Sequence, residues 1–321
     1  MAKPKLALIP AAQGTKFYSV LPSDGTGDFD FTRGSVATRI NAQGLIENVA
    51  SGQSRLNYPM IDGVQKGCPH HILEPARTNI VQYSEDFSNA YWTKNFATIT
   101  SNNAISPDGT LNASKLASSN SGLNSRIEYL PTVSNNTIYT SSILVKKGSL
   151  NFISLNLRDK TGVTRVAYYD INNGTVSSTI NSPADAKIEN YGNGWYRASV
   201  SANVLSGSTT VRAQFVLASA DGNVDTSINS FIYIWGAQLE AGSYPTSYIP
   251  TSGQSGGVTR SAETANGSGD AATFNDSEGV LMAEISALDN DLTNRYISIS
   301  DGTANNRILI RYVAGLSNTI G

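Results

Sequence analysis

Phe231-Ile-Tyr-Ile-Trp-Gly-Ala-Gln-Leu-Glu240, followed by Ala241-Gly-Ser-Tyr-Pro-Thr-Ser-Tyr-Ile-Pro250, is the stretch from which the fold is read. Phe231, Tyr233 and Trp235 alternate with Ile232 and Ile234, so both faces of a period-two segment are apolar, as in a strand buried between two layers. That pattern predicts a central strand with Trp235 in the core of a sandwich. Tyr244-Pro245 and Ile249-Pro250 end the ladder, because proline has no N–H and forces the preceding residue into extended geometry. A domain boundary is therefore expected at about residue 250.

Upstream, seven further segments with strand composition recur at the spacing of a β-sandwich, 126–130, 137–145, 152–157, 164–170, 175–179, 195–202 and 210–217, which with 230–239 itself makes eight. Ile153, Leu155 and Leu157 alternate with Ser154 and Asn156, and Val211, Ala213, Phe215 and Leu217 alternate with Arg212 and Gln214. One face of each is core and the other is wet. Asp159-Lys-Thr-Gly162, Asn172-Asn-Gly174 and Asn190-Tyr-Gly-Asn-Gly194 supply residues that tolerate positive φ at hairpin turns. Ser84-Glu-Asp-Phe87 and Asn89-Ala-Tyr-Trp92 read as an aromatic plug at one end of the sandwich. Helical periodicity is absent. The fold class is all-β, an antiparallel jelly-roll sandwich over residues 81–250.

Composition agrees. The 28 glycines and 15 tyrosines among 321 residues, beside three methionines, suit short strands and polar turns. The balance of 23 basic and 25 acidic side chains lacks the positive field of a nucleic-acid binder. A single cysteine, Cys68, excludes an intrachain disulfide framework. No apolar run approaches the ~20 residues of a membrane span, and Leu6–Ile9 is too short for a signal peptide.

Residues 1–80 are punctuated by prolines and glycines and read as an extended arm, ordered by other subunits or by the following domain. Residues 251–278 begin with Ser252-Gly-Gln-Ser-Gly-Gly257 and read as a flexible linker. Three strands are expected in 279–321, at 280–285, 296–300 and 307–313. They are too few to close a layer, so the chain is expected to be the ordered part of a longer protein.

Leu73-Glu-Pro-Ala-Arg-Thr-Asn79, Tyr83-Ser-Glu-Asp-Phe87, Trp92, Ser106-Pro-Asp-Gly-Thr110, Lys115-Leu116, Gly194-Trp-Tyr-Arg197, Trp235-Gly-Ala-Gln-Leu-Glu240 and Tyr248-Ile-Pro-Thr251 occur in that order. Together they resemble a family of tailed-bacteriophage virion proteins whose middle domain is similar to jelly-roll carbohydrate-binding modules. Residues 279–321 resemble the opening of a concanavalin-A-like, laminin-G-like sandwich. The resemblance implies a head or tail fibre or a decoration subunit on the virion surface. Its arm would be anchored to capsid or tail proteins, and homo-oligomerisation and binding of a host-surface glycan would be expected. Within it, Trp-Gly-Ala-Gln-Leu-Glu and Gly-Trp-Tyr-Arg read as fold residues.

Catalytic motifs are lacking. His70 and His71 stand beside Cys68, but adjacent side chains of an extended segment point apart and no second ligand pair would close a zinc site. There is no Gly-x-Ser-x-Gly elbow and no phosphate-cradling glycine loop. Asp159, Asp170, Asp185, Glu189 and Asp225 are available for glycoside hydrolysis, yet spacing does not pair them. No enzymatic activity and no cofactor are expected. Asp108-Gly-Thr110 resembles loops that hold structural calcium in such modules, but one carboxylate is too few. For a glycan the candidates are Tyr168, Tyr169, Tyr191 and Tyr196, with Tyr129 nearby in the pattern, because a flat ring stacks on the apolar face of a pyranose.

Overall fold

The Trp235 stretch forms an eleven-residue strand, Phe231–Ala241, at the centre of a six-stranded sheet. The computed structural model describes residues 3–205, 207–274, 278–287 and 293–313, and divides into two compact units, Met1–Asp270 and Ala271–Gly321. Among the described residues all regular structure is strand.

Twelve strands build the sandwich of the first unit: β1 Thr93–Asn95, β2 Ala97–Ala104, β3 Ala113–Ser118, β4 Arg126–Tyr129, β5 Thr137–Lys147, β6 Phe152–Asp159, β7 Thr164–Asp170, β8 Thr175–Ile180, β9 Asp185–Gly192, β10 Trp195–Val204, β11 Val211–Ala218 and β12 Phe231–Ala241. One sheet runs β2-β3-β12-β5-β10-β9 and the other β1-β4-β11-β6-β7-β8, with every pairing antiparallel. Leu116, Ile143, Val145, Ile232 and Ile234 of the first sheet meet Ile127, Ile153, Leu155, Phe215 and Leu217 of the second in one continuous core. Phe87 and Trp92 close one end of it, Trp92 lying edge-on to Tyr129 at 4.8 Å. The four strands beyond the expected eight are β1, β2, β3 and β9. Three of these (β1, β2 and β9) lie at sheet edges, where half-exposed, polar sequences such as Ala-Thr-Ile-Thr-Ser-Asn-Asn-Ala carry little alternation.

Trp235 is buried, but not between the sheets. The pairing of β5 with β12 slips between Ser142 and Leu144, and Gly236 sits at φ +63° in the slip. This bulge inverts the alternation. Ile232 and Ile234 precede it and Ala237 and Leu239 follow it in the core, while Trp235 faces outward with Trp195, Leu144, Tyr248 and Ile46. Ile46 belongs to the N-terminal segment, so this face of the sheet is covered by residues expected to form an extended arm, here ordered by the domain that follows it.

That segment is a layer of short hairpins. Ala37–Ile40 pairs with Ile46–Val49, Arg55–Asn57 with His70–Ile72, and Met60–Ile61 with Val64–Gln65. The stretch expected to be a linker closes the layer: Val258–Arg260 pairs with Arg77–Asn79, and Thr264–Asn266 with Phe29–Thr32. Ser252–Gly257 is itself docked, with Gly253 N donating to Gln82 O at 2.7 Å. The glycine run therefore serves close approach here. A side chain at Gly257 would meet Asn79 O at 2.0 Å.

The cement is charge. Arg33, Arg55, Glu74, Arg260 and Glu263 are all buried, and Glu263 accepts from Arg33 Nη1 at 2.8 Å, from Arg55 Nε at 2.7 Å and from Arg55 Nη2. Glu74 takes Arg55 Nη2 at 2.7 Å and Arg260 Nη1 at 2.8 Å. The family-like motifs feed the same layer. Asn79 Nδ2 donates to Ala237 O and Ile249 O, Glu240 accepts from Thr246 N and Oγ1, Gln238 accepts from Ile249 N, and Arg197 Nη1 donates to Thr246 O.

In the second unit, Arg295–Ser300 pairs with Arg307–Tyr312 as one hairpin. The expected strand at 280–285 does not form. Val280 and Met282 are almost fully exposed there, so these apolar residues have no layer to pack against among the described residues.

Candidate functional site

The edge strand β9 and the Met60–Gln65 hairpin frame a cavity of about 550 Å³, lined also by Ile40 and the turn at Asn173 and Gly174. Its size is that of an ordinary small-ligand pocket, roughly 300–1,000 Å³. Local sequence builds each wall. Asp62 and Gly63 both have positive φ, 52° and 74°, in a two-residue turn between Ile61 and Val64, the type I′ geometry that Asp-Gly favours. Asn193 and Gly194, at 53° and 79°, turn β9 into β10 in the same way. Just before that turn the register slips between Asn190 and Gly192, so Tyr191 is the extra residue of a bulge. A bulge re-aims its side chain. Tyr191 accordingly turns toward the hairpin layer, and Tyr196 lies opposite Asn190.

Three glycines make the close approaches. A side chain at Gly63 would strike Asn190 Oδ1 at 2.3 Å, one at Gly192 would meet Gly63 O at 2.6 Å, and one at Gly174 would meet the Tyr196 ring at 2.4 Å. The Tyr196 ring therefore rests on the Gly174 backbone. Gly174→Ala, strained at φ +68°, is expected to push that ring into the cavity while leaving the sandwich folded; a changed tyrosine near-UV dichroism at an unchanged far-UV spectrum checks it.

The polar groups are Asp62, Glu189, Asn173 and Asn190, and among the described residues no lysine or arginine lines the cavity. Burial raises the Tyr191 hydroxyl above the usual phenol range, with Arg197 pulling the other way, so it stays protonated at neutral pH and can donate. Arg197 is itself buried, donates to Thr246 O and Ser142 Oγ, and is hydrogen-bonded to the Tyr191 hydroxyl without lining the cavity itself.

The cavity unites Tyr191 and Tyr196 of the expected residues. Tyr168 lies on the outer face of the other sheet, 6% exposed among Val166, Ala218, Phe152 and Val224. Tyr169 is in the core, its hydroxyl donating to Ser199 O, and so is Tyr129. Neither reaches a ligand, since inward alternation puts both between the sheets. Of the carboxylates, Glu189 lines the cavity, Asp159 pairs with Arg165, Asp185 with Lys187, and Asp170 caps its own turn through Asn172 N and Asn173 N. Asp225 is exposed in a two-residue pairing. Sequence reading missed Asp62, Asn173 and Asn190. The Asp-Gly turn signal was legible, but its apposition to β9 depends on how residues 1–80 fold back.

Asp108 spends its carboxylate on protein donors: Ser106 Oγ, Thr110 N and Oγ1, and Asn112 Nδ2. No group of three metal-binding side chains occurs among the described residues. His71 stacks on Phe17 at 3.9 Å, and burial, with His70 adding, lowers its pKa to about 4, so it is neutral at pH 7.

No family model and no curated protein matches the chain. Among solved structures it is similar to the enzymatically active domain of bacteriophage CBA120 tailspike protein 4, at 15% identity and a TM-score of 0.33, over 51% of this chain and 21% of that one. A structure described as CBM4 matches at 13% identity and 0.28, over 50% of this chain and 93% of that one. TmCBM27, a carbohydrate-binding module described for mannan recognition, matches at 10% and 0.29, over 53% and 97%.

Proposed function

We propose that the first unit is a glycan-binding module of a virion fibre or decoration protein, and that the cavity beside β9 holds a neutral or amino sugar without turning it over. The observation that carries the reading is the cavity's composition: two half-buried tyrosines, two carboxylates and two amides around one space, with no cation. Tyrosine faces take the apolar side of a pyranose, while carboxylate and amide oxygens accept from its hydroxyls. Asp62 and Glu189 repel an acidic sugar and attract an ammonium-bearing one. Exposed Ile9, Tyr18, Val20 and Leu21 offer apolar surface for partner proteins of the particle.

Glycan-array binding of the intact chain tests the proposal. An affinity of about 0.1–1 mM per site is expected for so few contacts, raised by avidity on the particle. Tyr196→Ala is expected to weaken binding at least about tenfold, one stacking contact being worth roughly 1.4 kcal/mol. Binding to no neutral or amino glycan, with wild-type assembly into particles, would favour a purely architectural subunit. Shortening of a host polysaccharide, abolished by Glu189→Gln, would replace binding by hydrolysis.

A further inference from the structure

A second surface has the opposite charge. On the outer face of the other sheet, β6 and β11 place Arg158 directly opposite Arg212. Like charges at such a position are disfavoured, and the described residues relieve them only in part. Arg158 is exposed and has no hydrogen-bond or ion-pair partner among the described residues. Arg212 reaches only Glu128 Oε1, at 3.7 Å, and Oε2 of that carboxylate already takes Arg126 Nε at 2.8 Å and Gln214 Nε2 at 2.5 Å. One carboxylate shared by two arginines leaves the Arg158–Arg212 row with net positive charge.

The adjacent row is a polar ladder with an open end. Glu128 stands opposite Gln214 and Gln214 opposite Asn156. Asn156 Nδ2 donates to Gln214 Oε1 at 3.4 Å, but Asn156 Oδ1 has no partner although the residue is only 8% exposed. A buried amide oxygen without a protein donor is open to a hydrogen bond from a ligand hydroxyl or from water. By strand alternation Asn156 and Arg158 share this face, two residues apart, so an acceptor without a protein donor adjoins one unpaired guanidinium and one that shares its carboxylate.

We infer that this face binds an acidic polysaccharide, with its anionic group, a carboxylate or a phosphate, held between Arg158 and Arg212 and a neighbouring hydroxyl donating to Asn156. The site stands apart from the cavity of Tyr191 and Tyr196, whose carboxylates disfavour such a ligand.

Oligogalacturonate and poly(glycerol phosphate) are the probes, titrated into the intact chain at low and at high salt. Wild type is expected to bind at least one of them, more weakly at high salt. Arg158→Gln and Arg212→Gln are each expected to weaken that binding about tenfold or more, and Tyr196→Ala to leave it unchanged. Without ligand, Arg158→Gln is expected to melt no lower than wild type, because it removes a repulsion, so lost binding is not lost fold. Binding of the uronate alone assigns the group as carboxylate, and of the phosphate polymer alone as phosphate. Binding of neither, equal binding by the arginine variants, or loss in Tyr196→Ala would overturn the inference; the last would move the ligand to the cavity.

Discussion

Glu263→Ala is expected to unfold the first unit or bring it close to unfolding. The substitution leaves Arg33, Arg55 and Arg260 buried with Glu74 as their one remaining carboxylate in the cluster, and it orphans Glu74 N, which donates to Glu263 Oε2 at 2.9 Å. Removing one partner of a buried pair costs about 3–5 kcal/mol, against a total stability of roughly 5–15 kcal/mol for a domain. Asp30→Ala, which breaks the solvent-exposed pair with Lys16, is expected to cost less than about 1 kcal/mol and serves as the control. Urea unfolding of the three proteins measures the difference, and a Glu263→Ala midpoint equal to that of Asp30→Ala would contradict it.

The same cluster sets an acid limit. Burial pushes the Glu74 carboxyl up, but Arg260, Arg55 and the Ser247 donors outweigh it and hold it at about 2, below its ordinary 4.5. A carboxylate whose folded pKa is depressed contributes stability above its unfolded value and loses it as pH falls through the folded one. This contribution is thus present above pH 4.5 and disappears on acidification toward pH 2. Glu240 runs the other way. Burial, the largest influence, raises it despite Arg197, so its protonation partly offsets the loss. The unfolding midpoint is expected to fall as pH drops from 4.5, and to fall less steeply in Glu74→Gln.

Removal of residues 1–80 is expected to yield insoluble or aggregated protein. For the shorter deletion of residues 1–70 the sequence reading alone predicts a soluble jelly roll that no longer joins the particle. In the structure the longer deletion uncovers Trp195 and Trp235, strips Arg260 of Glu74, and takes the Asn79 amide from Ala237 O, Leu239 N and Ile249 O. Each large apolar side chain re-exposed forfeits about 1.5–3 kcal/mol, and each buried backbone group left without a partner about 1–3 kcal/mol. Size-exclusion chromatography of the truncated chain decides the matter; a monodisperse, cooperatively folded fragment would show that the layer is dispensable.

Much of the sandwich was legible because its central strands alternate. Ile153, Leu155 and Leu157, or Val211, Ala213, Phe215 and Leu217, carry the inward period on their own. The edge strands β2 and β9 were not, since a half-solvated strand need not alternate. Trp235 was legible as buried but not as outward-facing, because plain alternation back from the inward Ala237 and Leu239 puts it in the core, and the extra residue Gly236 at positive φ breaks that phase. At the site, Tyr191 and Tyr196 came from their type and place, whereas Tyr169 and Tyr129 were excluded only by the sheet that turned them inward.

What the sequence determined by itself is local: strand periodicity, the glycine-bearing hairpin turns of the sandwich, the lack of helical periodicity, and a charge balance without a basic field. Tertiary structure alone decided that residues 1–80 and 258–266 form one layer over the first sheet, since Arg55 meets Glu263 across 208 residues and no local pattern encodes so distant a partner. The cavity followed from that decision. Asp62 and Glu189 face one space because a hairpin from one end of the unit is held against an edge strand of its middle by buried charge and by glycines that permit contact.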